Sequence, residues 1–236
     1  MLEALATHRE GLPLKELAKA AGVSSAAAFH AVQTLVEQGY AERHDLRYTL
    51  GPRFLELTAV RERHTVSRAV DTLLRELAEA LPGAHLYFSE KMGDSVVITR
   101  HLTGTASAVT EGGRHTLPPY ASGGSLVHLA FWPREIAEAY EARYPFEVYG
   151  LPFWRSREAY EAALAEMKQE RGAFMREKEL WRLKYAFPLF TSRGTFVGAV
   201  TVQWNHPGET TNLPKFRHQQ KTMAREAAER FTHQLT

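Results

Sequence analysis

The chain has 236 residues, 44% of them hydrophobic and 11% aromatic, a formal net charge of +2 and no cysteine. The length predicts two domains with proper cores, and the lack of cysteine excludes disulfides, thiolate zinc sites and cysteine nucleophiles. No apolar run approaches the roughly 18–20 residues of a spanning helix, and Glu3, His8 and Glu10 interrupt the N-terminus too early for a secretion signal; a cytoplasmic protein is expected.

Residues 1–8 read as the end of a helix with Leu2 and Leu5 on its apolar side. Pro13 stands where a first-turn proline would start the next helix, and Leu14, Leu17 and Ala18 mark one face of it at i, i+3, i+4. Ala21-Gly22-Val23 is the turn, with Gly22 free to take a left-handed conformation. Ser24 is a good N-cap for a second helix whose buried stripe is Ala28, Val32, Leu35 and Val36 and which Gly39 ends. Tyr40–Arg43 and Arg47–Leu50 are short enough to pair as a wing across His44-Asp45-Leu46. Helix, tight turn, helix and hairpin make a winged helix-turn-helix, a shape that lays one helix in a DNA major groove. Its charge is unusual for that task. Residues 1–60 hold six basic and seven acidic side chains, whereas phosphate neutralisation supplies much of the affinity of DNA binders. The basic residues are local: Arg43 and Arg47 in the wing, Arg53 just after it.

From Pro52 to about Leu81 the pattern is helical, with a break expected near Thr65–Val66 and a hard stop at Pro82-Gly83. Strands follow around Leu86–Phe88 and Val96–Ile98, flanking a turn at Lys91-Met92-Gly93-Asp94. Residues 105–120 read as loop and strand. Ser122 caps a helix to Phe131, Pro133 starts one through about Tyr144, and Ser156 caps another ended by Gly172. Strands at Leu183–Phe190 and Phe196–Trp204 and a helix over about 214–235 complete the chain. The fold class is α+β, with residues 1–51 as winged helix-turn-helix, 52–68 as linker helix and 69–236 as a domain of antiparallel sheet with flanking helices.

Enzyme signatures are lacking. Eleven histidines form no His-Glu-x-x-His pair, Gly112-Gly113 and Gly123-Gly124 lead into no phosphate loop, and there is no Gly-x-Ser-x-Gly elbow. Neither a catalytic nor a metal site is expected, and no cofactor.

In order and spacing, several segments together resemble the isocitrate lyase regulator (IclR) family of bacterial transcription factors. They are Gly39-Tyr40-Ala41-Glu42-Arg43 with Arg47-Tyr48-Thr49-Leu50-Gly51-Pro52, then Leu117-Pro118-Pro119-Tyr120-Ala121-Ser122-Gly123, then Ala186-Phe187-Pro188-Leu189 with Val197-Gly198-Ala199-Val200-Thr201-Val202. The resemblance implies a winged helix joined to a GAF-like effector-binding domain. It also implies a homodimer or dimer-of-dimers tetramer on a pseudo-palindromic double-stranded DNA operator, and a small-molecule effector in the C-terminal domain. Where the family's recognition helix commonly reads Pro-Lys-Ser-Thr-Val-His-Arg, this chain has Ser24-Ser25-Ala26-Ala27-Ala28-Phe29-His30. Candidate DNA-binding residues are therefore Ser24, Ser25, Ala26, Ala27, His30 and Gln33 on the helix, and Arg43, Arg47 and Arg53 around the wing. Weak or unusual sequence readout is expected, and alanine can still touch a thymine methyl.

Carried over residue by residue, the family's effector pocket falls on Ala121, Ser122 and Gly123, where a helix N-terminus would hold a carboxylate. It also falls on Lys184, in place of a common cysteine, and on Thr201 and Gln203, two apart on one strand face. Arg176 stands near a usual acidic position in the loop before these strands. With cations replacing an acid and a thiol, the expected effector is an anionic organic acid. Tyr87, Tyr120 and Trp181 are candidates for an aromatic wall. The alternative reading is a ligand-binding or interaction module of the same fold that has lost strong DNA affinity, motivated by the acidic first domain and the alanine-rich helix.

Overall fold

The computed structural model describes residues 1–8, 10–103, 110–177, 182–205 and 212–235. The chain divides into two compact units, Met1–Thr65 and Val66–Thr236.

The first unit runs α1 (Leu2–Thr7), β1 (Leu12–Pro13), α2 (Leu14–Ala21), α3 (Ser25–Glu37), β2 (Ala41–His44) and β3 (Arg47–Leu50), followed by the start of α4 (Arg53–Ala80). Pro13 is extended, with φ −69° and ψ 155°, and is the N-cap of α2 rather than its first residue. Gly22 closes α2 at φ 66°, ψ 30°, a backbone that residues with a Cβ rarely take. Ser24 then caps α3, its Oγ accepting the Ala27 N–H at 3.2 Å. The wing turn is two residues long, Asp45-Leu46, with Asp45 at φ 54°. β3 lies between β1 and β2, pairing Leu12 with Tyr48 and Ala41 with Leu50. Leu5, Leu12, Leu17, Val32, Ala41 and Tyr48 form the core of this unit.

The break expected at Thr65–Val66 is absent: α4 is continuous from Arg53 to Ala80. Two adjacent β-branched residues lower helix propensity by only fractions of a kcal/mol, and no proline or glycine lies in the stretch. A weak local preference is not a stop signal.

The second unit contains β4 (His85–Met92), β5 (Ser95–Thr103), β6 (Thr110–Thr116), α5 (Gly123–Phe131), α6 (Arg134–Arg143), α7 (Phe146–Tyr149), α8 (Arg157–Glu170), β7 (Ala173–Glu177), β8 (Arg182–Phe190), β9 (Phe196–Asn205) and α9 (Leu213–Gln234). The six strands form one sheet in the order β6-β5-β4-β9-β8-β7, with every described pair antiparallel. β7 escapes the sequence pattern because its five residues, Ala-Phe-Met-Arg-Glu, are short and end in two charges. On one face Leu86, Phe88, Leu102, Tyr185, Phe187, Val200 and Val202 pack with Val70, Leu73, Leu74 and Leu77 of α4 and with Ala224, Ala227 and Phe231 of α9. Arg100 ties β5 to α4 as well, donating to Asp71 Oδ1 at 3.0 Å and to Ser67 Oγ at 2.7 Å.

The opposite face carries α5. Val127 packs on Ala173, Ala186 and Ala199. Small residues set this close approach: a Cβ on Gly123 would meet Ala186 Cβ at 2.9 Å, and one on Gly124 would meet Leu117 Cδ1 at 2.6 Å and Ser89 Oγ at 2.9 Å. A second aromatic cluster of Tyr120, Tyr140, Phe146 and Tyr160 lies beyond α5. Among the described residues no helix is long and apolar enough to cross a membrane, and no group of three or more potential metal-ligating side chains occurs.

Candidate DNA-reading helix and effector face

In the first unit, α3 is fixed by Ala28 and Val32, both fully buried, with Leu35 and Val36 half-buried beside them. At 100° per residue the opposite side of the helix carries Ala26, His30 and Gln33, with Ala27 and Thr34 alongside, and all five are exposed. Ser25 is exposed at the helix start, next to the Ser24 cap. Thus the candidates on α3 form one outward surface. Phe29 borders it, 40% exposed, its ring edge-on to His30 at 5.8 Å.

The three arginines are engaged inside their own unit. Arg43 Nε donates to the Asp45 carbonyl at 2.8 Å, and the guanidinium lies 5.8 Å from the Tyr48 ring centre. Arg47 donates to the Gly11 carbonyl at 2.8 Å, tying the wing to the β1 approach. Arg53 pairs with Glu56 at 2.8 Å, and that carboxylate raises the guanidinium's pKa above its ordinary value. The Arg43 and Arg53 contacts are exposed and cost little to exchange for a phosphate, whereas the Arg47 bond is part-buried.

In the second unit, strand register decides which candidates meet. Lys184 pairs with Gln203 and Ala186 with Thr201, while Thr201 also pairs with Tyr87 and Gln203 with His85. Paired residues of antiparallel strands share a face, so Lys184, Thr201 and Gln203 lie on the α5 side with Tyr87 and His85. Gly123 joins them there, touching the Ala186 position and Met175. Ser122 caps α5, its Oγ accepting the Ser125 N–H at 3.1 Å, and Ala121 precedes it half-buried.

Arg176 does not belong to this group. It sits in strand β7, not in a loop, and pairs with Leu183, one residue out of phase with Lys184. A one-residue offset places it on the α9 side of the sheet, where it is exposed. Tyr120 is fully buried in the aromatic cluster and donates to the Tyr144 carbonyl at 2.7 Å, so it lines that core instead. Trp181 lies outside the described residues.

Register adds residues that the sequence left unremarked. Arg182 pairs with Asn205 and therefore shares the face of Lys184. His101 pairs with Tyr87, and their rings stack at 4.5 Å and 5°. The His85 ring is nearly parallel to that of His101 at 6.1 Å. Gln203 donates to Asn205 Oδ1 at 2.9 Å, and Asn205 Nδ2 lies 3.0 Å from His85 Nε2. Burial pushes the Tyr87 phenol up while the Arg182 guanidinium pulls it back, which places positive charge near that ring. Burial first, then the neighbouring His85, lowers His101. The alternation of β8, read two residues back from Lys184, was the signal available for Arg182. The result is a half-buried polar face with two cations, two imidazoles and a phenol beside the start of α5, chemistry suited to an anion with a flat body.

The first unit is thus a winged helix-turn-helix, a DNA-binding shape, and the second a six-stranded α+β unit. Residues 1–45 match the family model of the IclR helix-turn-helix domain. No curated protein matches the sequence. Among solved structures, the chain is similar to a Silicibacter sp. TM1040 protein assigned as an IclR transcriptional regulator (23% identity, 99% of this chain and 94% of that one, TM-score 0.56). It is similar to the Thermotoga maritima IclR (17%, 99% and 95%, TM-score 0.55). It is also similar to an IclR homologue from Microbacterium hydrocarbonoxydans complexed with 4-hydroxybenzoate (19%, 95% and 91%, TM-score 0.51). The first domain is an IclR helix-turn-helix, and the chain as a whole has the fold of the IclR family.

Proposed function

We propose that this regulator is ligand-responsive: α3 enters the major groove of an operator, and a small anionic organic acid bound on the α5 side of the second unit's sheet alters that binding. The observation that carries the ligand half is the register that puts Arg182, Lys184, Thr201, Gln203 and Tyr87 on one face beside the α5 N-terminus. An acid's carboxylate would sit against the cations or the free N–H groups at the start of α5, with its body against the Tyr87–His101 stack. The complex of an IclR homologue with 4-hydroxybenzoate supports an acid of this kind. On the DNA half, the roles proposed are base-edge contact for Ser25, Ala26, Ala27, His30 and Gln33, and phosphate contact for the Ser24 cap region, Arg43, Arg47 and Arg53. A homodimer, or a tetramer built from two, would set these helices on a pseudo-palindromic site.

A thermal-shift screen of organic acids tests the ligand half, since a ligand stabilises by RT ln(1 + [L]/Kd). Shifts with carboxylates are expected; a shift with a neutral or cationic metabolite and none with any acid would contradict the assignment. The engaged arginines and the net charge of −1 over residues 1–60 favour one second reading, a ligand-binding module with weak DNA affinity. Equal, feeble binding to the protein's own upstream DNA and to random DNA would favour it.

A further inference from the structure

We infer that α3 reads A·T-rich half-sites, with Gln33 as the adenine-selecting residue and the methyl groups of Ala26 and Ala27 against thymine methyls. This rests on the DNA-binding reading above and goes beyond it in naming the base chemistry.

The outward surface of α3 holds no Lys or Arg, and its single formal charge is Glu37 at the helix's last residue. From Ser25 to Val36 there is no Lys, Arg, Asp or Glu. The commonest specific contact to DNA, Arg or Lys forked onto the O6 and N7 of guanine, therefore has no donor on this helix. The nearest arginines sit elsewhere and are turned to internal partners: Arg43 to the Asp45 carbonyl, Arg47 to the Gly11 carbonyl and Arg53 to Glu56.

Ser25, His30 and Thr34 are exposed there too and serve more than one base, while the rest of the surface has a defined complement. Gln33 is exposed, and its amide sets an N–H donor beside a carbonyl acceptor, the pair that matches N7 and N6–H₂ of adenine. Ala26 and Ala27 are exposed in the first turn. A methyl set against the polar edge of a G·C pair would strip water from donors and acceptors without replacing it, whereas against thymine C5-methyl it buries apolar surface. Phe29, 40% exposed at the border of the surface, adds a second apolar wall on the Gln33 side. Ala26 and Gln33 are seven residues apart, about 10 Å along the helix, which is roughly three base-pair steps. Thymine contacts near one end and an adenine contact near the other fit within one half-site.

The experiment uses the full chain. Selection from a random duplex library should enrich A·T-rich half-sites. In the selected duplex, replacing contacted thymidines by deoxyuridine removes only the 5-methyl group and should weaken binding roughly fourfold per contact. Gln33→Ala should lose roughly tenfold on the selected duplex and little on one whose contacted adenine is changed, because the lost preference belongs to that base. Gln33→Arg should shift the preference at that position towards guanine. Enrichment of G·C half-sites, or unchanged affinity after the deoxyuridine exchange, would overturn the inference while leaving the DNA-binding reading intact. No enrichment, with equal weak binding to every duplex, would overturn both, and self-association lost on Phe29→Ser would then assign the apolar surface to a second copy of the chain.

Discussion

The two units expose their working surfaces in opposite ways. The surface of α3 carries no cation, its one charge being Glu37 at the end, and it is exposed on a helix held by Ala28 and Val32. The sheet face of the second unit is half-buried, carries Arg182 and Lys184, and is braced by strand pairing on both sides. A DNA reader meets a partner whose phosphates supply long-range attraction, so its base-facing surface can do without charge. A receptor for a small acid has no such partner and must place its cations in the site itself. The contrast shows how a chain with a nearly neutral first domain could serve both proposed functions.

The largest effect that would break this contrast lies in the second unit. Lys184→Glu should abolish the thermal shift given by a binding acid, which is about 2.7 kcal/mol at a hundredfold excess over Kd for the parent chain. DNA affinity without the acid should stay the same. A retained shift would take Lys184 out of the site.

Next in size is a pH effect from the helix that floors that site. His128 of α5 is enclosed by Trp132 and Phe196, its Nδ1 lies 2.8 Å from the Gly124 carbonyl, and its Nε2 is buried with no hydrogen-bond partner. Burial, opposed by the Gly124 carbonyl, pushes its pKa down to about 4. The unfolded chain binds the proton first, near pH 6.5, so stability is full above that value and declines as pH falls towards 4. The loss should reach about 2 kcal/mol by pH 5, seen as a drop in denaturant midpoint that His128→Leu flattens. A midpoint that is as pH-dependent in the variant would locate the titration elsewhere.

Smaller effects belong to the first unit and sharpen its side of the contrast. Ser24→Ala removes the α3 cap and should cost about 1 kcal/mol, read as lost hydrogen-exchange protection in residues 25–30 with the second unit unchanged. Arg47→Ala removes the tie to Gly11 and should cost about 1 kcal/mol in the same unit. If Arg47 serves only DNA, protection will not change and only affinity will fall.

Much of this was legible in the sequence, for reasons that differ by residue. Gly22, Ser24, Ser122 and Ser156 signal backbone geometry that few other residues provide, and the structure uses each as a turn or cap. Lys184, Thr201 and Gln203 could be grouped because i, i+2 spacing and one paired strand decide their face. Arg176 could not, because its side depends on the register of β7, whose short charged sequence hid the strand. His85 and His101 were missed for the same reason, since cross-strand neighbours come from pairing between distant segments, while Arg182 could have been read from the i, i+2 alternation of β8. The continuity of α4 was obscured by reading a β-branched pair as a stop.

The central claim is that one chain couples a DNA-reading helix to an acid-binding sheet face, and a mobility-shift titration on the protein's own upstream region tests it most directly. Run across salt concentrations with and without a stabilising acid, it should show binding far tighter than to random duplex, a steep salt slope, and an affinity that moves when the acid is present. Equal binding to both duplexes, or a specific affinity that the acid leaves untouched, would contradict the account.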